Sequence, residues 1–228
     1  MEPRAQDRRL VALVVLLVVL GGAVAAILLA RGGDGEDKAG GVEVPGCEQV
    51  AEPKPRQEQR EAPPQTVRRG EKLTAVVDTS CGTFEVALDS RHSPKTVNSF
   101  VSLARDGFYD GLAFHRIVTD FVIQGGDPLG NGEGGPGYTV DEPPPPNLAY
   151  TRGVVAMAKS PAEPPGRSGS QFFVVIPPDA GLSPDYALLG RVSNGFAVVE
   201  RIGQAGSRSE RGHPRQTVII DSIEIEEG

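Results

Sequence analysis

Arg116, Gln124 and Gln171 stand in apolar, strand-like surroundings and are the side chains of this chain best equipped for chemistry. Phe114-His115-Arg116-Ile117-Val118 is rich in β-branched and aromatic residues, as strands are, and it is continued by Asp120-Phe121-Val122-Ile123-Gln124-Gly125-Gly126-Asp127. Alternate strand residues share a face, so His115 is expected to turn away from Phe114 and Arg116. An arginine is always protonated and presents a rigid fork of donors. Among apolar neighbours such a charge is costly without a partner. Two uses follow: a structural ion pair with a carboxylate, or a donor aimed at a bound polar group. A second stretch, Ser168-Gly169-Ser170-Gln171-Phe172-Phe173-Val174, again sets a glutamine beside aromatic residues. Metal chemistry has little support, because Cys47, Cys81, His92, His115 and His213 show no zinc-ligand spacing.

Taken with Gly153-Val154-Val155-Ala156-Met157-Ala158, these stretches resemble the cyclophilin family of peptidyl-prolyl cis-trans isomerases, over about Leu73 to Glu226. The resemblance implies a mainly β fold, a closed eight-stranded antiparallel barrel capped by two helices, with its site on the outer face. It implies no cofactor and no metal, and proline-containing polypeptides as substrates. Residue by residue, Arg116 matches the family's catalytic arginine, and Phe121, Val122, Phe173 and Leu182 its proline pocket. Gln124 and Gln171 match the glutamines that orient the substrate backbone and the arginine, and Ala158 and Lys159 a pair whose backbone aligns the peptide. Tyr186 falls where many relatives have histidine.

The chain also departs from that pattern. Val122 stands where methionine is common, Lys159 replaces the usual asparagine, and the loop from Lys159 to Gly169 is about three residues longer by count between the flanking motifs. Gly181 falls where many relatives carry a tryptophan, part of how the family binds cyclosporin, and the chain has no tryptophan at all. These departures keep open an alternative, a proline-peptide binding module or chaperone with little catalysis.

The elements that must position these residues can be read from pattern. Thr74–Asp78 and Thr83–Asp89 form a hairpin through Ser80-Cys81-Gly82. Ser93 can cap a helix with Pro94 at its first position, Val97, Phe100, Val101 and Ala104 form its apolar face, and Gly107 stops it. Gly130-Asn131-Gly132-Glu133-Gly134-Gly135 satisfies G-x-G-x-x-G, but Pro136-Gly137-Tyr138 is a poor helix start, so a tight loop beside the site is expected rather than a dinucleotide site. Further strands are expected at 153–158, 171–176, 187–192 and 217–226, with a short helix from near Asn194 to Gly203.

Ahead of this domain, expected over 71–228, residues 1–31 read as a short cytoplasmic stub and a transmembrane anchor. Leu10 to Ala30 is an uncharged apolar run of about the length that crosses a bilayer, flanked by Arg8-Arg9 and Arg31. A cleaved signal peptide is the competitor, though Ala23-Val24-Ala25 lies inside the run. Residues 32–70, rich in Gly, Glu, Lys, Gln and Pro, read as a flexible, disordered linker. The expected setting is therefore a single-pass protein of the cell membrane with its domain outside the cytoplasm, and a monomer. There Cys47 and Cys81 can pair, tying linker to domain. The net charge of −7 argues against nucleic acid as a partner.

Overall fold

The computed structural model describes residues 42–209 and 211–228. The expected membrane anchor and the first part of the linker lie outside the described residues. Among those described, no helix is long and apolar enough to cross a membrane.

The folded part is mainly β. In chain order it runs β1 (Leu73–Thr79), β2 (Gly82–Leu88), α1 (Pro94–Arg105), β3 (Arg116–Val118), β4 (Val122–Gly125), β5 (Val140–Asp141), β6 (Val154–Met157), β7 (Arg167–Ser168), β8 (Phe172–Val175), β9 (Leu188–Asn194), α2 (Phe196–Gln204) and β10 (Ile220–Glu227). Eight strands form one antiparallel sheet in the order β10-β1-β2-β9-β6-β8-β4-β3, while β5 and β7 pair separately. The expected closed barrel is corrected to a curled half-barrel. The edge strands β3 and β10 share no ladder, because β3 is only three residues long. The gap between them is crossed by an irregular stretch, in which Gly111 and Phe114 N–H donate to Ile220 and Val218 carbonyls, and Ile220 N–H donates to Leu112 O.

Strand alternation divides the apolar residues into two groups. Phe84, Val86, Ile117, Ile123, Val155, Met157, Phe172 and Val174 share the main core with Val97 and Phe100 of α1 and Val199 and Ile202 of α2. Val122, Val154, Ala156, Phe173, Val175 and Leu188 build a second cluster on the opposite face of the same strands. The helices start differently from the sequence expectation. Ser93 makes no side-chain cap; the Glu142 carboxylate, 46 residues away, accepts from Thr96 N–H at 2.7 Å instead. Such an acceptor satisfies an orphan donor and favours the helix dipole. At α2 the cap position is Gly195, whose φ of 71° suits glycine.

The reading of residues 32–70 as a free linker fails for its described part. Residues 42–70 contain no helix or strand, yet they belong to the same compact unit as the domain. The reason is a series of single anchors rather than a periodic face. Val44 and Val67 are buried in the main core. Val44 N–H donates to Gln216 Oε1 at 2.6 Å, and Asn98 Oδ1 accepts from Thr66 and Val67 N–H at 2.7 and 3.0 Å. A Cys47–Cys81 disulfide fastens the same strap to the β1–β2 turn. Closing a loop of 34 residues removes chain entropy from the unfolded state, a contribution of about 3–4 kcal/mol.

Candidate functional site

The sheet register aligns the site. Arg116 lies opposite Gln124, Gln124 opposite Phe173, and Phe173 opposite Ala156, one row across four strands. Since directly opposed residues share a face, the guanidinium, an amide and an aromatic ring stand side by side. Arg116 Nη1 donates to Gln124 Oε1 at 3.2 Å, and Gln124 Nε2 donates to Gln171 Oε1 at 3.0 Å. Gln171 Nε2 in turn donates to the carbonyls of Gly132 and Gly134, at 3.0 and 2.9 Å. A relay of amides therefore runs from the glycine-rich loop to the arginine.

Beside this relay lies the second apolar cluster. Phe121, Val122, Ala158, Phe173, Leu182 and Tyr186 all belong to it, so six of the ten expected substrate-contacting residues meet there. Phe173 and Tyr186 meet edge to face with ring centroids 5.3 Å apart. Phe121, Leu182 and Tyr186 are half-buried, so the cluster is open to solvent along one side. Lys159 is folded back: its Nζ donates to the carbonyls of Ser160 and Glu163 and sits 5.7 Å from the Tyr186 ring centre. Ala158 N–H is occupied by the Gln171 carbonyl at 2.8 Å. Gly181 is exposed, with open space where a side chain would stand.

Two features were not identified by the sequence reading. Tyr150 is fully buried in the apolar cluster; its hydroxyl donates to Tyr186 O at 2.6 Å and accepts from Tyr186 N–H at 2.9 Å. That pair of bonds holds the Tyr186 backbone in place, and burial pushes the Tyr150 hydroxyl up to about 12. Asp127 is buried beneath the glycine-rich loop and accepts from the N–H groups of Leu129 and Asn131, at 2.8 and 2.9 Å, and from that of Gly132. No helix follows Gly130–Gly135; the loop folds over the Asp127 carboxylate instead. The D-x-x-x-N-G spacing of Asp127 to Gly132 was a signal for such a carboxylate-centred turn.

His115 does not turn away from the site as strand alternation suggested, because regular pairing begins only at Arg116 and Phe114 drops into the core. Its two ring nitrogens are out of contact with water. Burial holds its pKa below the ordinary histidine value; the Asp127 carboxylate opposes this and the Arg116 charge adds to it. A lowered folded value means that the unfolded chain takes up the proton first. Stability at this group is thus complete above about pH 6.5 and is lost as pH falls from there through the folded value. Denaturant titrations at pH 7.5 and pH 5 are expected to show a smaller pH-dependent loss in His115→Gln than in the parent; an identical loss would remove this assignment.

The sequence of residues 74–225 matches the model of the family described as cyclophilin type peptidyl-prolyl cis-trans isomerase. Peptidyl-prolyl cis-trans isomerase B of Streptomyces anulatus is 38% identical over 174 residues, covering 68% of this chain and 98% of that protein. Peptidyl-prolyl cis-trans isomerase-like 1 of Mus musculus is 41% identical over 138 residues, 59% of this chain and 81% of the relative. Among solved structures, a cyclophilin type isomerase of Cryptosporidium parvum, crystallised in the presence of the dipeptide Ala-Pro, superposes with a TM-score of 0.62 at 30% identity. It covers 68% of this chain and 99% of its own.

Proposed function

Because the chain belongs to the cyclophilin-type peptidyl-prolyl cis-trans isomerases, we propose that it turns X-Pro bonds of extracytoplasmic polypeptides by stabilising the twisted amide with Arg116. Amide resonance gives X-Pro rotation a barrier of about 18–20 kcal/mol. Twisting the bond breaks that resonance and leaves a lone pair on the prolyl nitrogen. A donor aimed at this lone pair binds the twisted state better than either planar state, and so lowers the barrier without a nucleophile or a general base. Phe121, Val122, Phe173 and Leu182 receive the proline ring; excluding water there strengthens the neighbouring donor. Gln124 and Gln171 orient the guanidinium and the peptide backbone. The observation that carries this reading is the row Arg116, Gln124, Phe173 across adjacent strands, flanked by the apolar cluster. The full chain in detergent is expected to accelerate cis-to-trans conversion of a short Ala-Pro peptide; a folded protein that leaves the rate unchanged would contradict the proposal.

The setting outside the cytoplasm, with an N-terminal membrane anchor, is supported by the apolar run Leu10 to Ala30 and by the Cys47–Cys81 disulfide, since such bonds persist in oxidising compartments. Protein alkylated in intact cells before lysis is expected to carry no label on either cysteine. Two labelled thiols would place the domain in a reducing compartment.

A further inference from the structure

The strap of residues 42–70 precedes the family match, which begins at residue 74, yet it is bonded to the loop that feeds the site. Arg56 N–H donates to Pro128 O at 2.9 Å, and Arg60 N–H donates to Pro136 O at 2.7 Å. These two carbonyls stand at the two ends of the glycine-rich loop. The Arg56 guanidinium donates to the carbonyls of Phe108 and Asp110, which ties the strap to the body of the domain. The largely buried Glu58 carboxylate lies 3.0 Å from Arg56 Nε and 3.2 Å from Arg60 Nη2, joining the two arginines. Arg56, Gln57 and Glu58 also line one side of a groove of about 930 Å³, whose other walls include Gln124, Gly132, Gly134 and Gln171.

The chemistry of the relay makes that loop consequential. A glutamine amide has a donor end and an acceptor end, and only its partners decide which way it faces. Two carbonyls of the loop, Gly132 O and Gly134 O, engage Gln171 Nε2. That commits Gln171 Oε1 to Gln124 Nε2 and leaves Gln124 Oε1 for Arg116. A loop drawn away from Gln171 would free it to turn over and set donor against donor. Resting on the isomerase reading above, we propose that the strap is a positioning element of the catalytic site. Its positioning groups are the backbone N–H of residues 56 and 60 and the Arg56 guanidinium, which brace the loop that sets the direction of the amide relay to Arg116.

The test uses the full chain. Arg60→Pro deletes the N–H that holds Pro136 O, whereas Arg60→Ala keeps it and removes only a partly exposed ion pair. Arg60→Pro is expected to lower kcat/KM by about fivefold to tenfold, the scale of one lost orienting hydrogen bond, with Arg60→Ala close to the parent. In a Gln171→Ala background the relay is already broken, so Arg60→Pro should add nothing there. A loss that multiplies in that background marks plain destabilisation and overturns the proposal, as does an Arg60→Pro protein with full activity. Arg56→Ala, which releases the hold on Phe108 and Asp110, should show the same dependence on Gln171 and serves if the proline variant does not fold. The side-chain amide resonances of Gln124 and Gln171 need no turnover to be read. Should the parent be inactive, the isomerase reading falls, while shifted resonances in Arg60→Pro still uphold the brace and unshifted ones overturn it.

Discussion

Arg116→Ala is expected to lower kcat/KM for an X-Pro peptide by about 100-fold or more, the loss typical of removing one preorganised transition-state donor. The side chain lies at the end of an amide relay, and no second cationic side chain stands in that row across the sheet. The substitution should leave the apolar cluster in place, because Phe121, Val122, Phe173 and Leu182 pack among its own apolar side chains. Its stability cost should be small, since Arg116 is only half-buried. Arg116→Lys should recover only part of the loss: an ammonium keeps the charge but not the planar fork that accommodates both Gln124 and a substrate. Full activity in Arg116→Ala would remove the residue from the mechanism.

Phe173→Ala is expected to cost about 3–5 kcal/mol of stability, the usual range for emptying an aromatic site in a packed core. Phe173 is 4% exposed and touches both tyrosines that shape the pocket, with ring centroids 6.2 Å from Tyr150 and 5.3 Å from Tyr186. On the proposed function the same ring would be the floor on which the proline rests, so KM for a proline peptide should rise about tenfold or more in whatever fraction stays folded, as expected when a buried apolar contact of about 1.5–3 kcal/mol is lost. Phe173→Leu separates the two effects by restoring most of the volume without the flat ring. Urea unfolding of the three proteins gives the stability order; an alanine variant within 1 kcal/mol of the parent would mean that the cavity collapses around the site.

How far the chain could be read in advance depended on how local each signal was. Gln171-Phe172-Phe173-Val174 was legible as a strand from its aromatic and β-branched residues, and the structure sends Phe172 and Val174 to the main core and Phe173 to the outer cluster. Likewise Val97, Phe100, Val101 and Ala104 reported a helix face that is buried in α1. The neighbourhood of Arg116 was legible through the family motif rather than through periodicity, since β3 is too short to carry a pattern. What escaped depends on partners distant in sequence. Glu142 at the start of α1, Tyr150 on the Tyr186 backbone, and Asn98 and Gln216 holding the strap act across 46, 36, 31 and 172 residues. Residues 42–70 looked like a free linker because prolines and charges dominate them and only two valines, Val44 and Val67, enter the core. One buried side chain at each end leaves no repeat to recognise, yet with a disulfide it is enough to hold an extended segment in place.

In the proposed mechanism Arg116 stabilises the twisted amide rather than the bound peptide. The most direct measurement is the rate of cis–trans interconversion of an X-Pro peptide while bound, obtained by NMR exchange at saturating enzyme, together with the peptide's dissociation constant. For Arg116→Ala, the on-enzyme rate should fall by about 100-fold or more while affinity changes only a few-fold, the signature of an interaction made in the transition state. An unchanged on-enzyme rate, with the whole loss appearing in affinity, would contradict it and make Arg116 a binding residue.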